Sequence, residues 1–189
     1  LGKTLLYTAV SVPLKLFVAL MVALMLNKIR RGRTLFYTIF YLPSILGSSV
    51  ALAILWKYLF KKDGLVNLLL GAIGIQGENW LGNPSLALPV MMLLPLWQMG
   101  APMVLFLAAL KNVPQDLIEA AKIDGASHFQ ILVKIMLPLV KATTVVMVLY
   151  YGVSHWNAWF NASLYMQTPS KFPLQLVLRN ILIPNSMDM

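Results

Sequence analysis

Four long apolar stretches, separated by polar segments, dominate the pattern of hydrophobic and polar positions along the chain. They cover residues 4–26, 35–60, 86–110 and 142–160. A helix rises about 1.5 Å per residue, so about 20 apolar residues cross the roughly 30 Å hydrocarbon core of a bilayer. The pattern therefore predicts four transmembrane helices in a single membrane domain, residues 1–189.

Two apolar stretches depart from a simple straight span. The third predicted span has no charge but contains Pro89, Pro95 and Pro102. Because proline removes a backbone donor and clashes with the preceding turn, we expect this helix to be kinked or interrupted. The last apolar piece, residues 172–183, includes Arg179 and is too short to cross a bilayer.

Composition supports lipid as the solvent of this chain. Hydrophobic residues make up 59% of it and charged residues only 11%, whereas ordinary soluble domains are about 25% charged. The absence of cysteine excludes disulfides and thiolate metal sites. The net charge of +9 would indicate nucleic acid as a partner of a soluble protein, but in a membrane protein it indicates topology, with no nucleic acid as partner.

The positive charges predict how the chain is oriented. Residues 27–34 and 111–141 each carry four lysines or arginines, which places both segments in the cytoplasm. Residues 61–85 then form an outside loop, although Lys61 and Lys62 within it oppose this orientation. The chain begins beside one span and ends without a closing one, so we expect it to be a fragment of a longer protein.

The segment 111–138 has strong local helix signals and is polar enough to lie outside lipid. Pro114 suits the first turn of a helix, and Gly125 supplies a left-handed stop. Ser127 and Gln130 have the spacing of a capping box, which starts a second helix. The sequence therefore predicts a helix of about ten residues, closed at both ends, followed by a second helix that leads into the fourth span.

The first of these helices carries small residues between polar ones. Ala120 and Ala121 would let it enter a narrow groove on another protein, while Glu119 and Asp124 fix its polar ends. An ordinary surface helix with good propensity explains the same residues, and the physics alone does not separate the two interpretations.

The spacing Glu119-Ala120-Ala121, Gly125, Ile135 and Leu137-Pro138 resembles the EAA loop of permease subunits of binding-protein-dependent ATP-binding-cassette importers. Asp124-Gly125-Ala126 resembles the sugar-permease branch of that family. Other segments also look like carbohydrate permeases: Thr4-Leu5-Leu6, Ser11-Val12-Pro13-Leu14-Lys15, Arg31-Gly32-Arg33 and Tyr41-Leu42-Pro43-Ser44. The front half looks like MalF/UgpA-type permeases, whereas the part from the loop onward looks more like the MalG/LplC-type partner.

This resemblance implies an all-α polytopic transmembrane helical bundle, the MetI-like fold of type I importers, as a multi-pass protein of the bacterial plasma (inner) membrane. It implies that the EAA loop is a coupling helix, a role that falls here to Glu119, Ala120, Ala121, Asp124 and Gly125. It also implies three protein partners: a dimer of ATPase subunits that binds the ATP, a second permease subunit, and an extracytoplasmic solute-binding protein. The chain itself would be no enzyme and would hold no cofactor.

Polar and aromatic residues within two spans are candidates for the substrate path. They are Trp97 and Gln98 in the third span and Trp156, Asn157 and Trp159 in the fourth. Aromatic faces and amide hydrogen-bonding groups suit a sugar, and polar groups in spans usually face the protein interior or an aqueous path. The alternative is that the tryptophans belong to the interfacial belt and Gln98 bonds a neighbouring helix.

The remaining motifs indicate no catalytic or metal site. Gly2-Lys3-Thr4 resembles the end of a phosphate-binding loop but enters a span, and His128 and His155 lie far apart without carboxylates nearby. The sequence therefore predicts the permease subunit of an importer for a sugar or oligosaccharide. The alternative is a membrane scaffold or assembly protein that does not transport and whose cytoplasmic helix docks a partner.

Overall fold

The computed structural model of the protein describes residues 2–29, 31–47, 50–83, 85–165, 169 and 172–183. Regular structure within these ranges is helical, with no strand, which confirms the all-α prediction. Arg30 of the basic segment 27–34 lies outside the described residues, as does Lys171, which precedes the last apolar piece.

The first predicted span is one continuous helix, α1, Gly2–Lys28. The part from Thr4 to Lys28 is long and apolar enough to cross a membrane by itself. Pro13 lies inside this helix, where the loss of one backbone hydrogen bond does not end it.

The second predicted span is divided, contrary to the single helix that its apolar run predicts. It consists of α2, Arg33–Ile45, and α3, Val50–Phe60. The break follows Pro43, and Gly47 within it has a φ of +55°, a left-handed conformation that side chains disfavour. Neither helix has the length of a span.

A short helix and an interrupted span follow. Helix α4, Leu65–Ala72, lies in the predicted outside loop. The third span is formed by α5, Ala87–Trp97, and α6, Gly100–Lys111. The break at residues 98–99 confirms that this proline-rich span is interrupted.

The C-terminal half contains shorter helices around the predicted fourth span. They are α7 (Gln115–Ile123), α8 (His128–Ile131), a π-helical stretch (Leu132–Met136), α9 (Leu137–Leu139), α10 (Lys141–Trp156), α11 (Phe160–Tyr165) and α12 (Leu174–Leu182). The fourth span was predicted to reach residue 160, but α10 ends at Trp156 and residues 157–159 are not helical.

By length and composition, the described residues contain between one and three membrane-crossing elements. Helix α1 qualifies alone, and two broken pairs qualify if each pair is one span. These pairs are α5 with α6, and the segment His128–Leu139 with α10, which are bent by 63°.

The chain forms two compact units, and each has its own core. The first unit comprises Leu1–Ser11, Leu46–Leu96 and Gly152–Met189. Its core packs α3, α5, α11 and α12 around Trp56, Leu94, Tyr165 and Leu176. Within it the hydroxyl of Thr4 accepts a hydrogen bond of 3.0 Å from the backbone N–H of Leu174, which holds the start of α12 against α1.

The second unit comprises Val12–Ile45 and Trp97–Tyr151. Helix α1 supplies a buried stripe at alternating intervals of four and three residues, the period of a helix-packing seam: Val12, Leu16, Ala19, Ala23 and Leu26. The stripe packs with residues of α6 and α10, among them Phe106 and Met147. The small side chains of Ala19 and Ala23 are completely buried, as close helix packing requires.

Two polar features support the core of the second unit. Lys15, the charge within the first span, is buried with its Nζ 4.2 Å from the centre of the Tyr151 ring, a cation–π contact that offsets part of its desolvation. Gly100 lets α6 approach α2, since a Cβ there would lie 2.6 Å from the Phe40 carbonyl oxygen. At the same place the Ala101 N–H donates to the Ser44 hydroxyl over 3.2 Å.

The long helices are apolar on their outward faces as well as on their buried faces. On α1 and α10 many large side chains are exposed, including Leu5, Phe17, Val146, Leu149 and Val153. A soluble protein rarely exposes a contiguous apolar surface of this kind. Helices that are apolar all round belong in protein interiors or in lipid, which fits a membrane-embedded chain.

Candidate functional site

Helix α7, in the loop predicted to be cytoplasmic, begins directly after a buried anchor. Val113 belongs to the core of the second unit, and Pro114 occupies the N-cap position with a φ of −58°. The sequence predicts Pro114 within the first turn of the helix, but the first helical residue is Gln115, one residue later. Asp116 lies in the first turn and Lys122 in the last, an arrangement of charges that complements the helix dipole.

The end of α7 is closed by backbone hydrogen bonds. Gly125 has a φ of +78°, its N–H donates to the Lys122 carbonyl over 3.1 Å, and the Ala126 N–H donates to the Ala121 carbonyl over 2.9 Å. This pair of bonds is a Schellman motif, which satisfies carbonyls that a helix end leaves open. The predicted left-handed stop is confirmed, and α7 has nine residues.

The predicted capping box at the next helix is also confirmed. The Gln130 N–H donates to Ser127 Oγ over 3.3 Å, and the Ser127 N–H donates to Gln130 Oε1 over 2.8 Å. Because both helix ends are closed, the connection of residues 124–127 is short and well defined. Hydrogen bonds on both sides therefore define this connection between α7 and α8.

Helix α7 has two different faces. Ala121 is 9% exposed, and Ile118 is half-buried against the core of the second unit. On the opposite side, spacing of i, i+3, i+4 and i+7 makes one stripe of exposed residues: Asp116, Glu119, Ala120 and Ile123. We call this set the outer stripe of α7.

The predicted coupling residues are thus divided between these faces. Glu119 and Ala120 lie on the outer stripe, whereas Ala121 is buried against the chain itself. Asp124 and Gly125 lie at the helix end, where they line a shallow cleft of about 320 Å³ together with Gln130 and Lys134.

The sequence-based candidates missed two apolar residues beside them. Ile123 is 86% exposed and Phe129 is 73% exposed. Both lie outside the predicted spans, where contact with lipid would not explain the exposure of an apolar side chain. Large apolar side chains in such positions often mark contact sites for another protein. The sequence carried one signal for Ile123: it lies four residues after Glu119, and this spacing puts both residues on one face of a helix.

The outer candidates of the fourth span lie together in the first unit, with two residues of α12. Asn157 Oδ1 accepts a hydrogen bond of 3.3 Å from Gln175 Nε2. The Arg179 guanidinium carbon lies 4.2 Å from the centre of the Trp159 ring. Gln175 and Arg179 are four residues apart, so they share one face of α12. The sequence-based candidates omitted both, because only tertiary packing pairs them with Asn157 and Trp159.

The other substrate-path candidates occupy different surroundings. Trp156 is the last residue of α10 and is half-buried. Trp97 ends α5, and Gln98 lies in the break that follows. Both of these belong to the second unit, whereas Trp156, Asn157 and Trp159 belong to the first.

The two histidines have separate environments. His155 is buried and its ring stacks on Tyr7 with centroids 5.5 Å apart, both in the first unit. His128 begins α8 in the second unit. In the part of the chain that the structure describes, no group of three or more His, Cys, Asp or Glu could hold a metal ion.

A protein-family profile matches nearly the whole chain. Residues 15–187 match the family described as "Binding-protein-dependent transport system inner membrane component". This match agrees with the EAA-loop pattern, which lies inside the matched residues.

Curated relatives carry names of permeases. The chain is 46% identical over 140 residues to the probable ABC transporter permease protein YesP of Bacillus subtilis, an alignment that covers 74% of the chain and 45% of YesP. It is 39% identical to the lactose transport system permease protein LacF of Rhizobium radiobacter, covering 75% and 48%. It is 36% identical to the trehalose/maltose transport system permease protein MalF of Thermococcus litoralis, covering 74% and 48%. The chain thus spans about half the length of these relatives.

Solved structures give the same fold. A chain of a bacterial alginate ABC transporter, in complex with a periplasmic protein bound to alginate pentasaccharide, superposes with a TM-score of 0.82 at 23% identity. The match covers 96% of this chain and 65% of that one. A chain of a bacterial ABC transporter for alginate import gives 0.76 at 25% identity, covering 96% and 66%.

Proposed function

The chain belongs to the family of binding-protein-dependent transport system inner membrane components, and from this premise we propose that it forms part of the permease of an ATP-driven sugar importer. The substrate is a sugar or an oligosaccharide. Names of relatives support this class, since they include lactose, trehalose/maltose and xylose/arabinose permeases. They favour a transporter over a scaffold protein that does not transport.

The chain acts mechanically and catalyses no reaction. The ATPase subunits that bind and hydrolyse ATP dock on α7, and their closure moves this helix. The movement then shifts the membrane-embedded helices between outward-open and inward-open states. A second permease subunit completes the path, and a solute-binding protein delivers the sugar from the other side of the plasma membrane.

The outer stripe of α7 is the single observation that carries this proposal. It combines two carboxylates, a small residue and the apolar side chain of Ile123, which is 86% exposed. A helix that places an apolar anchor and acidic groups on one exposed face fits helix-in-groove docking. The closed C-terminal end of α7 supports the same role, because a helix that frays would transmit force poorly.

The inward residues of α7 have a different part in this mechanism. Ala121 lets the helix approach the bundle closely, and Ile118 packs on the core of the second unit. Force applied at the outer stripe therefore reaches the core through the packing of Ile118 and the close approach of Ala121.

For the sugar path we propose the contacts around α12. Trp159 offers an aromatic surface, and the amides of Asn157 and Gln175 offer donors and acceptors for sugar hydroxyls. Arg179 occupies one face of Trp159 and holds the ring in place. Trp156, Trp97 and Gln98 are the further candidates.

The test of the proposed function reverses one charge on α7. Glu119→Lys is introduced into the full-length permease, which is assembled with its ATPase, partner permease and binding protein in proteoliposomes. We expect normal membrane insertion, loss of ATP-dependent sugar uptake, and ATPase activity that no longer responds to the sugar-loaded binding protein. Ile123→Asp removes the apolar anchor and is expected to reduce co-purification of the ATPase.

The matched control is Glu78→Lys. Glu78 is also exposed but lies in the loop between α4 and α5, so the same charge reversal leaves the docking helix unchanged. Normal sugar uptake by the Glu119→Lys transporter, or an equal loss in the Glu78→Lys transporter, would contradict the assignment.

A further inference from the structure

A second cleft lies beside α7, on the side opposite its outer stripe. It has a volume of about 310 Å³ and is lined by residues of α1, α7, α8 and the π-helical stretch. All of these residues belong to the second unit. The groups around Trp159 belong to the first unit, and Ile118 alone among the residues that line the cleft has a part in the proposed transport mechanism.

The polar residues of this cleft are basic or neutral. Lys28 comes from the end of α1, Lys122 from the last turn of α7 and His128 from the start of α8, and Asn27 completes the set. No described residue that lines the cleft is acidic. Three elements thus direct basic side chains to one cleft, which favours an anionic ligand.

The rest of the lining is apolar. Leu24 lies one turn before Lys28 on α1, and Ile131, Leu132 and Met136 follow along α8 and the π-helical stretch. A free inorganic anion gains nothing from such a wall, whereas an amphiphile with an anionic head contacts both parts of the cleft. The lining therefore matches a lipid better than a soluble anion.

The position along α1 supports the same ligand. This helix is apolar through Leu26 and ends at Lys28, so in the proposed topology Lys28 lies at the level of the cytoplasmic headgroups. Basic pockets between helices at this level bind anionic headgroups. We propose that the cleft binds the phosphate headgroup of an anionic phospholipid of the cytoplasmic leaflet, with an acyl chain along Leu24 and Met136.

This site would link the lipid composition of the membrane to the docking helix. One phosphate held by Lys28 and Lys122 joins the end of the first span to α7. The lipid would then hold α7 against the bundle without using any residue of its outer stripe.

The test measures lipid binding directly, so its outcome does not depend on transport. The full-length permease in neutral detergent is titrated with dioctanoyl phosphatidylglycerol, and bound lipid is counted by native mass spectrometry. The variant Lys28→Gln/Lys122→Gln should bind this lipid about 30-fold more weakly, because each lysine near an anionic surface contributes about fivefold. Dioctanoyl phosphatidylcholine should show no such loss.

Two further variants separate the cleft from general electrostatics and from misfolding. Lys111→Gln/Lys141→Gln also removes two positive charges, from positions in the same loop region that do not line the cleft, and this variant should retain binding. Lys28→Arg/Lys122→Arg keeps the charge and should retain most of it. Equal weakening in both Gln double variants, no preference for phosphatidylglycerol over phosphatidylcholine, or full displacement by inorganic phosphate at equal concentration would overturn the lipid site.

Discussion

Gly125 allows a quantitative test of how α7 ends. Its φ is +78°, and a Cβ added there would meet no heavy atom within 4 Å. Gly125→Ala therefore introduces neither a clash nor a new packing contact, and its cost comes from the backbone alone. An L-residue in the left-handed region costs about 1–2 kcal/mol, which corresponds to a factor of about 5–30 in the population of the opened helix end.

Hydrogen exchange at the Schellman bonds measures this population. In the Gly125→Ala protein the amide of Ala126, which donates to the Ala121 carbonyl, should exchange about 5–30 times faster. Amides in the middle of α6 should be unchanged, because their bonds do not depend on the cap. Gly125→Asn should show a smaller effect, since asparagine adopts the left-handed region more easily than alanine.

Gly152→Ala is the matched control for this substitution. Gly152 lies inside α10, also without heavy atoms within 4 Å of an added Cβ, but it has no left-handed φ. Alanine there should stabilise the helix by about 0.5–1 kcal/mol. Unchanged exchange at Ala126 in Gly125→Ala, or the same acceleration in Gly152→Ala, would refute the role of the left-handed cap.

Two further substitutions test packing in the two units. Gly100→Ala places a Cβ 2.6 Å from the Phe40 carbonyl oxygen and should destabilise the contact of α2 with α6 by about 1–3 kcal/mol. The measurement is the midpoint of thermal unfolding, which should fall. An unchanged midpoint would contradict this close approach. Asn67→Leu removes the bonds that Asn67 makes to the Lys62 and Glu78 carbonyls and to the indole N–H of Trp80. It should cost about 1–3 kcal/mol locally and speed proteolysis between α4 and α5, whereas equal cleavage rates would show that Asn67 does not organise this loop.

The accuracy of the sequence-based predictions depended on how local each feature is. The stop at Gly125 and the capping box of Ser127 with Gln130 depend on residues within five positions of each other, and both were predicted. The pairing of Asn157 with Gln175 spans 18 residues and depends on how α12 packs, which hydrophobic periodicity does not report.

The breaks in the spans show a second limit of hydropathy. Residues 35–60 form one apolar run, so their composition predicts one helix, yet α2 ends at Ile45. Pro43 and Gly47 were local signals of this break, but tolerance of proline and glycine in membrane helices gives such signals little weight. The apolar run to residue 160 likewise hid the end of α10 at Trp156.

The connection from α7 to α10 contains a proline, Pro138, after a π-helical stretch. Pro138 has no N–H to donate to the fourth residue before it, Lys134, and its ring would clash with that carbonyl in a regular α-helix. The turn before it is the π-helical stretch Leu132–Met136, in which the hydrogen bonds have i→i+5 spacing and not the α-helical one. The segment His128–Leu139 and α10 are bent by 63° relative to each other, and prolines and π-helical turns are common causes of sharp kinks. Residues 128–139 therefore join α7 to α10 through a bent connection that a plain α-helix would not provide.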